Sequence, residues 1–147
     1  MSRTTNIEQE LVNSFIDKIK ACAKADNKQC SFTQLETGAT AIGVPDLLMF
    51  YDNSLYWIEA KRFRCPPKTR NTNKYRGELV FRPGQLRFLQ KLYQAKEKVF
   101  ILALTEWMDA VIIPIYKVPK DAGAVLKFEE DGADFPNIYD YMKEIIL

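Results

Sequence analysis

Three charged residues lie inside or beside stretches that are otherwise apolar: Asp46, Glu59 and Lys61. The runs Leu47–Tyr51 and Leu55–Ile58 are almost wholly apolar, as in strands covered on both faces, and the short polar residues between them predict a tight turn. Glu59 and Lys61 are two residues apart and therefore project from one face of a strand. A buried carboxylate needs a cation, a hydrogen-bond donor or a proton. We expect this hairpin to form a small metal site with two carboxylates and a positioned amine.

The same three residues have a simpler interpretation. In it, Asp46 caps a strand, and Glu59 and Lys61 form a solvated pair at a sheet edge. Short motifs of this kind also occur by chance. The apolar surroundings of the three residues are what favours the metal site.

The chain contains no histidine, which excludes Ser-His-Asp and Cys-His triads and imidazole metal sites. Cys22, Cys30 and Cys65 are odd in number and lack Cys-x-x-Cys spacing, so neither a disulfide framework nor a thiolate zinc site is indicated. Hydrolytic chemistry would therefore depend on carboxylates, lysine, hydroxyl groups and water activated by a metal.

Length and composition predict one folded domain over residues 1–147, because 147 residues with 47% hydrophobic content can enclose one core. No apolar run is long enough to cross a bilayer, and no signal-peptide pattern follows Met1. We expect an intracellular, cytoplasmic protein that does not bind membranes.

Charge is unevenly distributed along the chain. Residues 61–98 contain twelve Lys or Arg and two acids, a net charge of +10, whereas the whole chain carries only +2. This asymmetry is typical of a basic surface for a polyanion on an otherwise acidic body. The long basic loop 62–77 is either a solvated face or a clamp for phosphate groups. Its Tyr75 either stacks on a base or packs on the domain.

Two predicted helices present polar side chains to the core. Residues 5–25 form one apolar stripe, and Glu8 lies near its middle while Glu10 points away. The second helix is predicted from Pro83 to Lys96, with Gln85 on its inward line. A capping box is not expected at Gln85, because residue 82 is an arginine rather than Ser or Thr. Further strands are predicted at 30–35, 99–104 and 110–116. From Lys117 onward we expect a loop, and then a short helix from about Pro136.

The residues of the hairpin and its flanks resemble the motif of a known family. Gly43-x-Pro45-Asp46, a hairpin and Ile58-Glu59-Ala60-Lys61 are similar to the core of the PD-(D/E)XK nuclease superfamily, over roughly residues 7–105. The Gly-x-Pro-Asp form and Gln85 resemble its VRR-NUC and Holliday-junction-resolvase branches. The resemblance implies an α/β fold, a restriction-endonuclease-like mixed sheet flanked by helices.

The resemblance also implies roles for the residues. Asp46, Glu59 and the carbonyl of Ala60 would hold Mg²⁺ or Mn²⁺, which prefer hard oxygen ligands, and Glu8 would hold a second ion or its water. Lys61 would orient the attacking water, and Gln85 would complete the catalytic set. The basic residues expected to bind DNA are Arg62, Arg64, Lys68, Arg70, Lys74, Arg76 and Arg82.

The expected function is therefore metal-dependent hydrolysis of DNA phosphodiester bonds, in branched or duplex DNA. A resolvase-like enzyme that cuts a junction symmetrically needs two sites, so a homodimer is expected. The alternatives are a nickase, an exonuclease or a restriction-type nuclease. From another class, the chain would be a DNA-binding module with a vestigial site.

Overall fold

The computed structural model describes residues 3–35, 44–63 and 74–147, and the predicted DNA-binding residues Arg64, Lys68 and Arg70 lie outside these ranges. Elements in the described residues follow one another as α1 (Arg3–Ala25), β1 (Cys30–Gln34), β2 (Leu47–Tyr51), β3 (Ser54–Arg62), β4 (Lys74–Val80), α2 (Gln85–Gln94), β5 (Lys98–Leu104), β6 (Asp109–Pro114), β7 (Val125–Asp131), β8 (Ala133–Asp134) and α3 (Ile138–Ile145). No helix in the described ranges is both long and apolar enough to cross a bilayer.

The central sheet has six strands in the order β1-β2-β3-β5-β6-β8. Neighbouring strands are antiparallel except β3 and β5, which run parallel in a register that places Glu59 beside Ile101. A parallel neighbour requires a crossover connection, and α2 lies within the segment that joins β3 to β5. The mixed sheet flanked by helices confirms the predicted fold class.

Both faces of the central sheet are covered. Strand β5 is buried along its length after Lys98, and its side chains alternate between two clusters. Phe100, Leu102 and Leu104 pack with the apolar stripes of α1 and α3. Val99, Ile101 and Ala103 pack with α2 and with the inner sides of β4 and β7. This explains why β5 is continuously apolar in the sequence.

The predicted hairpin is present as β2 and β3. Tyr51 pairs with Ser54 across a two-residue turn, and both turn residues have positive φ, 49° at Asp52 and 68° at Asn53. Asp and Asn tolerate this conformation, which matches the twist of the flanking strands. Strand β3 continues beyond the predicted Ile58 to Arg62 and therefore includes the charged residues.

Helix α2 differs from its prediction at both ends. It begins at Gln85 rather than Pro83, because Gly84 has a φ of 87° and cannot belong to the helix. It ends at Gln94, two residues before Lys96, whose φ of 72° is left-handed. Helix α1 begins at Arg3, two residues earlier than predicted.

Sequence analysis missed strands β4 and β7, which pair antiparallel as a separate two-stranded sheet. Only one face of this ribbon is buried, so both strands alternate apolar and charged residues instead of forming an apolar run. The predicted loop 62–77 therefore ends in a strand from Lys74, and the predicted loop after Lys117 contains another. Tyr75 is buried and packs on the domain rather than standing free for a base.

Gly132 connects β7 to β8 at a point of close contact, which leads to a stability prediction. A Cβ atom there would lie 2.6 Å from the backbone oxygen of Ala110 and 2.6 Å from the ring of Tyr75. We expect Gly132→Ala to lower the free energy of unfolding by roughly 1–3 kcal/mol, measured by urea denaturation. The matched control is Gly123→Ala, because no atom lies within 4 Å of its added Cβ. Equal stabilities of the two variants would contradict the prediction.

Candidate functional site

The predicted charged residues meet at the carboxyl end of β3. Glu59 and Lys61 project towards the face of the sheet that α2 covers, and Gln85 reaches them from the first turn of that helix. Asp46 immediately precedes β2, and antiparallel pairing brings it beside Ala60. The hairpin and the crossover helix thus bring four residues from three separate segments of the chain around one point.

Glu59 is the buried centre of this group, with 2% of its surface exposed. Its Oε2 accepts a hydrogen bond from Nε2 of Gln85 at 3.4 Å and lies 3.7 Å from Nζ of Lys61. Its Oε1 is buried and has no hydrogen-bond partner in the described part of the chain. Burial, and then the charge of Asp46, raise the pKa of Glu59 to about 8. The carboxyl therefore retains a proton at neutral pH when no cation is present.

The side chain of Asp46 is more exposed to solvent than that of Glu59, and its hydrogen-bond partners are different. Burial raises its pKa, while the backbone N–H of Ala60, at 3.3 Å from Oδ2, and the charge of Lys61 lower it. Burial thus raises the pKa of both carboxyl groups, and the larger rise is at Glu59.

Lys61 is oriented by three contacts. Its Nζ donates to Oε1 of Gln85 at 3.0 Å, faces Oε2 of Glu59 and lies 4.9 Å from the ring centroid of Phe81. The side chain is 19% exposed, so its ammonium group reaches the surface beside the carboxylates. Lys61 is therefore held in place beside Glu59, and its catalytic role stays a prediction.

Gln85 links the helix to the site. Besides the bond from Lys61, its Oε1 accepts a hydrogen bond from the backbone N–H of Arg82 at 2.7 Å. Arg82 lies before the N-cap, which is Gly84 and has no side-chain capping hydrogen bond, so this contact is not a capping box. The expectation that Gln85 takes no part in a capping box is confirmed, and the bond instead fixes Gln85 against the segment that enters the helix.

Glu8 is half-buried on α1 and is electrostatically coupled to the same site. Burial and the charge of Asp46 raise its pKa, whereas Lys61 and Arg62 lower it. Within residues 3–35, 44–63 and 74–147, no three acidic, histidine or cysteine side chains are arranged to ligate one ion. Glu8 is thus close enough to the carboxylate pair to influence it electrostatically but does not join it in a single ligand set, and its role at a second ion stays a prediction.

The donor chemistry of Asp46 and Glu59 fits a hard divalent cation. Carboxylate oxygens are the preferred ligands of Mg²⁺ and Mn²⁺. Oε1 of Glu59 is buried without a donor, which is costly for a polar atom unless a cation or water satisfies it. The pKa of Glu59 is raised first by burial and then by the nearby charge of Asp46, and a cation bound between the two carboxylates would oppose both effects.

The predicted DNA-binding residues within the described ranges have different surroundings. Lys74 and Arg82 are exposed. Arg76 is exposed on β4, and its Nε lies 3.1 Å from Oε2 of Glu129 on β7. Arg62 is mostly buried and forms an ion pair with Glu106 at 3.0 Å, so it is the least available of these residues to a phosphate.

Two contributors to the site were not found from the sequence. Phe81 lies beneath the ammonium group of Lys61, and Glu106 pairs with Arg62 at the end of β3. Phe81 belongs to a short apolar sequence with no distinguishing signal. Glu106 follows β5, and only the parallel pairing of β3 with β5 indicates that it lies near Arg62.

Comparisons with known proteins agree with the architecture. No family model and no curated protein match the chain. Among solved structures, it is similar to Hjc, a Holliday junction resolvase from Archaeoglobus fulgidus, with 10% identity and a TM-score of 0.50 over 86% of this chain and 98% of that chain. A bacterial homing endonuclease, I-Ssp6803I, matches with 14% identity and a TM-score of 0.49 over 88% of this chain and 78% of that one. The likeness to Hjc supports the restriction-endonuclease-like fold, and the VRR-NUC branch stays a prediction.

Proposed function

We propose that this chain is a divalent-metal-dependent DNA endonuclease that hydrolyses phosphodiester bonds. The observation that carries the proposal is the buried carboxyl of Glu59, which is held beside Asp46 and the ammonium group of Lys61 and whose Oε1 has no hydrogen-bond partner among the described residues. Such an arrangement is costly for stability and is typical of a catalytic site. We further propose that residues 1–147 form one nuclease domain.

Asp46, Glu59 and the backbone carbonyl of Ala60 would hold the ion, and Glu8 would hold a second ion or its water. A bound Mg²⁺ or Mn²⁺ supplies acidified water and neutralises negative charge on the phosphate. Holding the ion requires Glu59 to release the proton that it retains in the metal-free protein. The ion and the proton are therefore alternatives at this carboxyl.

Lys61 would orient the attacking water and stabilise the negative charge that develops on the phosphate. Its Nζ is suited to this role because Gln85 and Glu59 hold it while part of the side chain stays exposed. Gln85 would act through Lys61 and Glu59, since it is buried and bonded to both. We therefore regard Gln85 as a positioning residue.

The proposed substrate is branched DNA, such as a four-way junction, with duplex DNA as the simpler alternative. The basic residues after β3 would contact its phosphates; Lys74 and Arg82 are the exposed members that the structure describes. The fold likeness to a junction resolvase is the reason for testing a junction first. Two symmetric cuts would require a homodimer, which is part of the proposal.

One observation favours a second candidate, a DNA-binding module with a vestigial site. The described residues contain no group of three ligating side chains around one point. A site with two carboxylates would bind a metal ion weakly unless DNA phosphate oxygens complete its coordination. In that case the basic surface would bind DNA without cutting it.

Cleavage assays separate the two candidates. End-labelled four-way junction, duplex and single strand are incubated with the protein and Mg²⁺, Mn²⁺ or EDTA. We expect metal-dependent cutting by the unaltered chain, fastest on the junction, and no cutting by Asp46→Asn. Binding of all three DNAs without cutting under either metal would contradict the nuclease and support the module.

A further inference from the structure

A second feature lies at the other end of α2 from Gln85. The last turn of α2, the start of β5 and the segment after β6 enclose a groove of about 870 Å³, a volume typical of ligand sites. Three tyrosines and five basic residues line it, and we call it the lysine–tyrosine groove. The mechanism proposed above uses none of these residues.

The lysine–tyrosine groove is strongly cationic. Its basic residues are Arg87, Lys91, Lys96, Lys98 and Lys120, and its one acid is Glu97. The carboxylate of Glu97 already accepts a hydrogen bond from the indole N–H of Trp57. Within the described part of the chain, none of the five cations forms an ion pair. The groove therefore presents uncompensated positive charge to solvent.

Helix α2 supplies part of this charge as an ordered row. Arg87 and Lys91 are one helical turn apart, and Gln90 and Gln94 lie on the same side; all four line the groove. The opposite side of the helix is apolar and packs on the sheet through Leu86 and Leu89. Because the apolar side of α2 is anchored in the core, the polar row on its other side is held facing the groove.

Two exposed aromatic rings stand over the groove. Tyr93 and Tyr116 are 47% and 60% exposed, although both are large and partly apolar. Their ring centroids are 6.4 Å apart, with planes tilted by 39°. Exposed aromatic faces beside cations are the usual platform for stacking unpaired nucleic-acid bases.

The backbone conformation at Lys96 is one that lysine rarely adopts. It follows α2 with a φ of 72°, and its N–H donates to the carbonyl of Tyr93. Glycine is the residue that this left-handed position normally favours. A lysine there carries a conformational cost while adding a cation to the groove, and such strain is commonly found at functional sites.

We propose that the lysine–tyrosine groove binds single-stranded DNA, with bases on Tyr93 and Tyr116 and phosphates along the α2 row. The choice of DNA rests on the proposed function. Charge complementarity favours a polyanion over a second copy of this chain, because a symmetric dimer would place the same cations against each other. The paired aromatic rings favour bases over an acidic peptide.

The position of the groove specifies which DNA would use it. Gln85 and Tyr93 are eight residues apart on α2, a rise of about 12 Å, or roughly three to four nucleotides of a B-form strand. A strand cut at the carboxylates would therefore reach the groove within a few nucleotides. The implied substrate has unpaired nucleotides next to the cutting position, as in a flap, a tailed duplex or an opened junction.

Binding is measured without metal, so that the result is independent of cleavage. Anisotropy of a labelled oligo(dT) about 15 nucleotides long is recorded in EDTA at several salt concentrations. We expect Tyr93→Ala and Tyr116→Ala each to weaken binding about 5- to 50-fold. Lys91→Ala should lower the salt dependence of binding by about one released ion. Phe50→Ala, an exposed aromatic on β2 outside the groove, is the matched control and should bind normally.

Lys96→Gly distinguishes a loss of binding from a loss of folding. It should bind more weakly yet unfold at the same or a higher temperature, because glycine suits the left-handed φ. Unchanged binding by both tyrosine variants would overturn the inference. So would a dimer that Tyr116→Ala dissociates, or a mononucleotide that competes as well as the oligonucleotide. If the unaltered chain binds through the tyrosines but cuts nothing, this inference stands and the nuclease proposal fails.

Discussion

Replacing Glu59 with glutamine is expected to abolish metal-dependent cleavage and to stabilise the metal-free protein at pH 8. Cleavage should fall roughly 10³-fold or more, because the variant loses an anionic metal ligand. Stability should rise on the order of 2–4 kcal/mol, because ionisation of the Glu59 carboxyl favours the unfolded state at this pH and the glutamine amide does not ionise. A single substitution would thus separate the requirements of catalysis from those of folding.

The pH dependence follows from the direction of the pKa shift. The pKa of Glu59 is about 8 in the folded chain, against an ordinary value of 4.5. Between these values the folded state holds a proton that the unfolded state has released. The free energy of unfolding therefore falls as pH rises through this window, and the contribution is fully present only below it.

Thermal denaturation in EDTA across this window checks the prediction. The unaltered chain should lose stability with rising pH, and Glu59→Gln should lose less. Glu78→Gln, an exposed acid on β4, should follow the unaltered chain. Millimolar Mg²⁺ should raise the melting temperature at pH 8 for the unaltered chain and for Glu78→Gln, but not for Glu59→Gln. Identical pH profiles for the unaltered chain and Glu59→Gln would be incompatible with a buried, protonated carboxyl.

Lys61→Ala is expected to reduce the cleavage rate roughly 10²- to 10³-fold while DNA binding persists. The ammonium group is fixed by Gln85 and Glu59, so its removal takes away a preorganised charge rather than a mobile surface cation. Lys61→Arg should recover little activity, because a planar guanidinium does not match the contacts of a compact ammonium group. Single-turnover cleavage with saturating protein measures the rate, and gel shifts in EDTA measure binding.

Two further variants serve as a control and a comparison for Lys61→Ala. Lys24→Ala removes an exposed lysine in the last turn of α1 and should leave both measurements unchanged. Gln85→Leu should lower the rate less than Lys61→Ala, since it releases the ammonium group without deleting it. Cutting by Lys61→Ala at the unaltered rate would remove Lys61 from the mechanism. Loss of binding together with cutting would instead assign it to DNA contact.

The hairpin and its charged residues could be predicted because their signals are local. The apolar runs of β2 and β3 define the strands, and Asp52-Asn53 suits the left-handed turn. The two-residue spacing of Glu59 and Lys61 fixes their shared face without knowledge of the sheet.

Other parts depend on contacts between distant segments. The ribbon of β4 and β7 joins strands about fifty residues apart in the sequence. Neither strand contains the continuous apolar run from which a strand is usually predicted. The start of α2 depends on the φ of Gly84, which the sequence pattern does not determine. The position of Glu8 beside Asp46 depends on how α1 lies across the sheet, and helical phase alone gives only its inward direction.

The parallel pairing of β3 with β5 has a consequence for how the protein acquires activity. Glu59 is enclosed only when residues 98–104 have paired beside it, and the same crossover delivers Gln85. A growing or partly unfolded chain would carry the β2–β3 hairpin with Glu59 hydrated and ionised, and with Lys61 unrestrained. Long-range parallel pairing is among the slower events of folding. If the proposed nuclease activity holds, DNA cleavage would arise only once the sheet is complete, and incompletely folded chains would not cut nucleic acid.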